Sequence, residues 1–108
     1  MTFVTYVHEA TLVLGDVDDG APGAAVTVAL CGHWEHEGAC RWPHHTSSYR
    51  QADRRIVRTV ASIAEHDLDD VTGRIRRAIA GGPWIVVSQA EATPQRHERA
   101  LAARLRRG

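Results

Sequence analysis

The stretch RIVRTVASIAEHDLDDVTGRIRRAIAGGPWIVVS, residues 55–88, decides the fold class because its hydrophobic pattern changes twice along its length. Residues 55–64 are rich in β-branched side chains, which favour a strand. A helix is predicted between Asp67, a good N-cap, and Gly81, because apolar residues recur there at helical spacing: Leu68, Val71, Ile75 and Ile79. WIVVS, residues 84–88, predicts another strand. A strand–helix–strand unit of this kind predicts two parallel strands.

Two further strands are predicted nearer the N-terminus. In residues 3–14, FVTYVHEATLVL, the even positions form a face that is apolar apart from His8. Residues 25–34, AVTVALCGHW, also carry apolar side chains on even positions. The turn-forming stretch GDVDDGAPG, residues 15–23, separates the two segments. We therefore expect an antiparallel hairpin in which even-numbered residues lie opposite even-numbered residues, because both apolar faces are formed by even positions.

The expected register of this hairpin pairs residues whose numbers sum to 40. It places Tyr6 opposite Trp34 and His8 opposite Gly32. Because glycine has no side chain, this pairing would leave space beside the imidazole ring. A one-residue slip would turn the apolar side chains to the wrong face, so the register is tied to the burial of one face.

The remaining segments complete a single predicted domain, residues 1–108, of the α+β class. Residues 46–54 are polar, and we expect them to be irregular. Pro94 predicts the first turn of a last helix. The expected architecture is a mixed four-stranded sheet, with the element order β-β-β-α-β-α and two helices packed on one face.

The composition, 44% apolar and 24% charged, is that of soluble globular domains. No apolar run approaches the roughly 18 residues that a membrane-spanning helix needs. The first residues lack the basic start of a signal peptide, so we expect a cytoplasmic protein whose Cys31 and Cys40 are free thiols. All basic residues are arginines, which is typical of a GC-rich bacterial genome.

The charges are segregated along the chain although the formal net charge is zero. Residues 1–40 carry six acidic residues and no Arg or Lys, and residues 41–108 carry thirteen arginines and seven acidic residues. Zero net charge argues against tight binding to nucleic acid. The absence of lysine from the sequence excludes Schiff-base chemistry on a lysine side chain.

The segment CGHWEHEGACRWPHH, residues 31–45, contains both cysteines and four of the seven histidines. Thiolate and imidazole are ligands that zinc prefers, and four of them close a structural site. The candidate metal ligands are Cys31, His33, His36, Cys40 and His44. Their spacing does not match a zinc finger or ribbon, in which two ligand pairs are separated by a longer spacer. The alternative is a loop of hydrogen-bonded histidines anchored by its two tryptophans.

A second candidate site consists of Tyr6, His8 and Trp34. A histidine on an apolar strand face needs a partner for its ring nitrogens. The two aromatic side chains would flank the space beside His8, where a small planar ligand could stack and form hydrogen bonds. The alternative is a core histidine whose ring nitrogens are satisfied by neighbouring side chains.

The sequence thus yields three functional hypotheses. The first is a non-enzymatic module that binds a metal ion, with zinc as its only cofactor, or a small ligand through residues 31–45. The second is a small enzyme, or an accessory subunit of one, that acts in the pocket of Tyr6, His8 and Trp34. The third is an interaction protein that forms a homodimer through an exposed edge of the sheet.

Overall fold

The computed structural model describes residues 2–32 and 41–107 of the 108-residue chain. Its elements are β1 (Phe3–Val13), α1 (Ala21–Cys31), β2 (His44–Gln51), β3 (Arg54–Ala64), α2 (Leu68–Ala80), β4 (Ile85–Glu91) and α3 (Arg96–Arg107). A single 3-10 turn, Glu65–Asp67, precedes α2. The predicted α+β class and four-stranded sheet are confirmed. In the described ranges, no helix has the length and apolar character that crossing a bilayer requires.

The four strands form one antiparallel sheet in the order β2-β3-β1-β4. With β1 and β3 in the centre, the order β-α-β-β-α-β that precedes α3 is the split β-α-β topology. The prediction of a mixed sheet with the order β-β-β-α-β-α is therefore wrong. β3 and β4 do run parallel to each other, as expected for a strand–helix–strand unit, but β1 lies between them.

The two central strands bury side chains on both faces of the sheet. On the face that we call the inner face, Tyr6 lies opposite Ala61 and packs with residues of α1 and α2. On the opposite, outer face, Val7 lies opposite Val60, and both pack against Ala102 of α3. Because successive side chains of a strand alternate between faces, β1 and β3 can contribute to two separate apolar clusters.

Helix α1 is the largest departure from the sequence-based prediction. It covers most of residues 25–34, which we expected to form a strand. The segment is apolar at nearly every position, so neither the strand period nor the helix period stands out in the sequence. In the structure Val26 and Leu30, one helical turn apart, are buried, and Val28 between them is 47% exposed. Burial thus follows the helical period.

The ends of α1 do carry helix signals. Pro22 lies in the first turn, where a missing backbone N–H costs nothing. Gly32 follows the last residue with φ of 85°, in the left-handed region that glycine adopts without steric cost, and its N–H donates to the Val28 carbonyl at 2.9 Å. These two residues bracket a helix in the sequence.

The predicted N-terminal hairpin and its register are wrong as a consequence. β1 pairs with β3 and β4, so His8 lies opposite Thr59 on one side and Glu91 on the other. Gly32 is not its neighbour across a ladder but the C-cap of α1.

Strand β2 occupies most of residues 46–54, which we expected to be irregular. Its sequence, HHTSSYRQ, shows no apolar alternation, because an edge strand leaves most of its side chains exposed. Two residues, Ala52 and Asp53, connect β2 to β3 in a tight hairpin. Ala52 has φ of 56°, the positive value that two-residue hairpin loops require.

A buried ion-pair cluster joins α3 to the outer face of the sheet. The Arg58 guanidinium of β3 donates to both carboxylate oxygens of Glu98 in α3, at 2.8 and 2.7 Å, and it also pairs with Glu9 of β1. The side chains of Arg58 and Glu98 are only 10% and 4% exposed. Arg58 lowers the pKa of Glu98, and the two carboxylates raise the pKa of Arg58.

Replacing Glu98 by glutamine should lower the free energy of unfolding by about 3 kcal/mol, because the buried guanidinium would lose the more deeply buried of its two carboxylate partners and keep only the part-exposed Glu9. Urea unfolding followed by circular dichroism measures this change. Asp70→Asn is the control: it removes the exposed pair between Arg74 and Asp70, which are 2.9 Å apart, and should cost less than about 0.5 kcal/mol. Equal losses in the two variants would contradict a dominant role for the buried cluster.

Candidate functional site

An open groove of about 320 Å³ lies between α1 and the edge strand β2. Small residues of α1 form one wall, and residues 44–48 of β2 form the other, with the side chains of His44, Thr46 and Ser48 on the groove side. Two buried residues, Pro22 and Val57, also line it. The complete lining is Asp19, Gly20, Pro22, Gly23, Ala24, Thr27, His44, His45, Thr46, Ser47, Ser48 and Val57.

The groove is open because α1 presents small side chains to β2. Gly20, Gly23, Ala24 and Thr27 recur at the i, i+3, i+4, i+7 spacing of one helical face. At Gly23 a Cβ atom would meet the Thr46 side chain at 3.5 Å, an ordinary van der Waals contact. The helix thus approaches the strand closely here. Larger residues along this face would fill the space between the two elements.

His44 is the imidazole that joins the two walls. Its Nδ1 atom is 3.1 Å from the Trp42 carbonyl oxygen, so Nδ1 carries the proton and donates it. Its Nε2 atom then accepts the hydroxyl hydrogen of Thr27 at 3.2 Å. The ring is half-buried, and these two contacts fix its tautomer and orientation.

A hydroxyl hydrogen-bonded to an imidazole is also the arrangement in which a base activates a nucleophile. Here the group behind the ring is the neutral Trp42 carbonyl, which stabilises an imidazolium less than a carboxylate would. The Thr27–His44 pair is therefore better suited to hydrogen bonding with a ligand than to strong general-base catalysis.

The polar side chains of β2 continue along the groove. Thr46 and Thr59 share a hydroxyl–hydroxyl hydrogen bond of 3.0 Å on the inner face of the sheet. Ser48 lies opposite Val57 on the same face, whereas His45 and Ser47 lie opposite Val60 and Arg58, so their side chains point to the outer face and away from the groove. The hydroxyl and imidazole groups offer both donors and acceptors, and the lining contains a single carboxylate, that of Asp19.

The structure brings together two of the five predicted metal ligands. The Cys31 Sγ and His44 Nδ1 atoms are 4.0 Å apart. Cys31 forms a disulfide, so the expectation that it is a free thiol is wrong. His33, His36 and Cys40 lie outside the described residues. Among residues 2–32 and 41–107, no group of three or more His, Cys, Asp or Glu side chains is placed to hold a metal ion.

Of the other predicted site, Tyr6 and His8 lie together and Trp34 falls outside the described residues. Tyr6 and His8 are only 2% and 1% exposed, with ring centroids 6.4 Å apart. The Tyr6 hydroxyl donates to His8 Nδ1 at 3.3 Å, and His8 Nε2 donates to Gln89 Oε1 at 2.8 Å. The Gln89 amide then donates to the Arg76 carbonyl at 3.3 Å.

This network keeps the His8 imidazole neutral. Burial lowers the pKa of His8, since the charged ring would lose its hydration, and it raises the pKa of Tyr6. A protonated ring would carry a hydrogen on Nδ1, which now accepts from Tyr6, so protonation would also break that hydrogen bond. Both ring nitrogens are engaged within the protein, as in a satisfied core histidine.

The sequence pointed to His44 but to none of the α1 residues of the groove. Thr27 falls in the predicted strand 25–34, and Gly20 and Gly23 fall in the predicted turn 15–23, so the prediction places them on no common face with β2. The spacing of the small residues 20, 23, 24 and 27 was the available signal. This spacing indicates a shared face only if the segment is a helix.

Comparison with family models, curated proteins and solved structures found no match to this chain. The split β-α-β topology hosts many functions, so it carries no functional assignment by itself.

The buried neutral histidine predicts how stability depends on pH. A histidine whose pKa is lowered by folding contributes stability that is complete above its ordinary pKa near 6.5 and is lost as the pH falls below it. The free energy of unfolding, measured by urea titration at pH 7.5 and 5.5, should therefore be lower at pH 5.5. His8→Gln should reduce this difference.

His66→Gln is the matched control, since His66 is exposed. The lowered pKa of Glu98 does not interfere, because its effect on stability sets in only near and below the ordinary glutamate pKa of about 4.5. A pH dependence that is unchanged in His8→Gln would show that His8 titrates normally in the folded protein.

Proposed function

We propose that this chain is a non-enzymatic binding module for a small polar molecule, which lies in the groove between α1 and β2. The observation that carries the proposal is the open space of about 320 Å³ bounded by oriented hydroxyl and imidazole groups. Ligand sites in proteins typically have volumes of about 300 to 1,000 Å³ and few, well-placed polar groups.

The lining defines the chemistry of the ligand. The Thr27–His44 pair is held in one orientation, so a ligand meets a preformed hydrogen-bonding wall. The Thr46 and Ser48 hydroxyls on β2 can donate or accept. Apolar contacts come from Pro22, Ala24 and Val57. A compact molecule that carries hydroxyl or amide groups on a small apolar frame matches this mixed lining.

The core pair Tyr6–His8 supports binding in the groove rather than beside β1. A ligand next to His8 would have to replace hydrogen bonds to Tyr6 and Gln89 that are already made inside the protein. The groove requires no such exchange, since it is open to solvent.

A substitution that fills the groove with a larger side chain tests this proposal. Ala24→Leu places a larger apolar side chain on the face of α1 that lines the space, and leucine is as compatible with a helix as alanine within a few tenths of a kcal/mol. Polar fragments screened by ¹H–¹⁵N chemical-shift mapping should shift the amides of Thr27, Thr46 and Ser48 in the wild-type protein. In Ala24→Leu the fragments should bind at least about tenfold more weakly.

Ala100→Leu is the control, because Ala100 is an exposed residue of α3 outside the groove lining. It should leave fragment binding unchanged. Fragments that map to another surface, or that bind Ala24→Leu as well as the wild type, would contradict the proposal.

Zinc binding by the predicted ligands of residues 31–45 is a second proposal, supported by the 4.0 Å between Cys31 Sγ and His44 Nδ1, and it requires Nδ1 to give up its proton and its hydrogen bond to the Trp42 carbonyl. A disulfide sulfur is a poor zinc ligand, so the site would need reduced Cys31. Elemental analysis after desalting should find about one zinc ion per reduced chain and none per oxidised chain. Reduced protein without zinc would contradict this proposal.

We also propose that the chain forms a homodimer, because apolar side chains of β4 are exposed. Ile85 and Val87 of this edge strand are 66% and 43% exposed. An apolar sheet edge with unpaired backbone groups is a surface on which a second chain can add a strand.

A further inference from the structure

A second pocket, of about 250 Å³, lies beside the groove at the tip of the β2–β3 hairpin. Asp19 lines both spaces, which makes them neighbours on one surface. We call this second space the arginine pocket, because its lining includes three guanidinium groups. The lining residues are Leu14, Gly15, Asp19, Arg50, Asp53, Arg54 and Arg55.

The charges of the arginine pocket do not cancel. Arg55 forms an ion pair with Asp19, and its side chain is 18% exposed. Arg54 approaches Asp53 only to 3.8 Å, between side chains that are 47% and 83% exposed, so water screens this pair strongly. Three guanidinium groups against two carboxylates leave a net charge of +1 among the lining residues.

Arg50 is the source of the excess charge. Its Nε donates to the Ala52 carbonyl at 3.2 Å, which fixes the side chain over the hairpin turn. Within residues 2–32 and 41–107, no carboxylate forms an ion pair with Arg50. The two terminal nitrogens of the Arg50 guanidinium can therefore donate hydrogen bonds to an anion.

The acidic residues of the β1–α1 connection do not occupy this position. Asp16 and Asp18 are not part of the pocket lining, and an Asp18 carboxylate oxygen accepts the Gly20 backbone N–H at 2.8 Å. Of the acidic residues in this connection, only Asp19 lines the pocket, and it is already paired with Arg55.

We propose that the arginine pocket holds the anionic group, a phosphate or a carboxylate, of the molecule whose polar remainder lies in the groove. Guanidinium groups present forked N–H donors that match the oxygen spacing of both anions. The proposal rests on the function proposed for the groove and narrows its ligand to small organic anions.

Inorganic phosphate and acetate are the probes, titrated separately at constant ionic strength while the arginine Nε–Hε signals are followed by NMR. Saturable shifts of Arg50 and Arg54, with dissociation constants on the order of 1 to 10 mM, are expected for the anion that the pocket prefers. A larger affinity for phosphate would indicate a phosphorylated ligand. A larger affinity for acetate would indicate a carboxylic acid.

Arg50→Gln and Arg54→Gln should each weaken binding of the preferred anion by about fivefold or more. Arg104→Gln, an exposed arginine of α3, is the matched control and should leave the affinity unchanged. Shifts that do not saturate with either probe, or an equal loss in Arg104→Gln, would overturn the proposal, since both would indicate unspecific attraction to positive charge.

The variant Ala24→Leu separates this proposal from the one on which it rests. Filling the groove should leave phosphate or acetate binding at the hairpin intact, because Ala24 is not part of the arginine pocket. Anion binding without any fragment binding in the groove would support the anion site and contradict the function proposed for the groove. Loss of anion binding in Ala24→Leu would overturn the separate anion site.

Discussion

The pairing of β1 with β3 is the constraint on which the rest of the structure depends. Its register places Tyr6 opposite Ala61 and therefore fixes which side chains face α1 and α2. The next residue, Val7, faces α3 instead. A slip by one residue would exchange these faces, exposing both apolar clusters and breaking the polar contacts made by the same strand.

The same alternation separates two polar networks that are adjacent in sequence. His8 points to the inner face and links β1 to Gln89 of β4, and Glu9 points to the outer face and pairs with Arg58. Among the described residues, no buried side-chain nitrogen or oxygen lacks a hydrogen-bond partner. Both networks are thus complete within the protein. Their role is to specify the packing of α2, β4 and α3, since a misaligned element would leave polar groups unsatisfied.

A segment of this fold could be predicted from the sequence where its apolar residues recur with one clear period, that of a helix or that of a strand. α2 and β3 were predicted because their apolar residues follow a helical period or are β-branched. α1 was missed because valines and alanines make it apolar all round, which hides the period even though Pro22 and Gly32 mark its ends. β2 was missed because an edge strand with exposed polar side chains has no apolar period to detect.

The groove could be predicted only in part for the same reason. His44 belongs to a conspicuous histidine-rich segment, but its partner Thr27 becomes its neighbour only when residues 21–31 form a helix against β2. The structure then separates the polar side chains whose hydrogen bonds are all made within the protein from those that can still contact a ligand. His8 and Arg58 are enclosed by partners supplied by the fold, whereas the hydroxyls along β2 and the Arg50 guanidinium border open space. Because recognition needs polar groups that are oriented yet accessible, the surface between α1, β2 and the hairpin tip is where we propose that binding occurs, and the buried networks hold the strands and helices that form it.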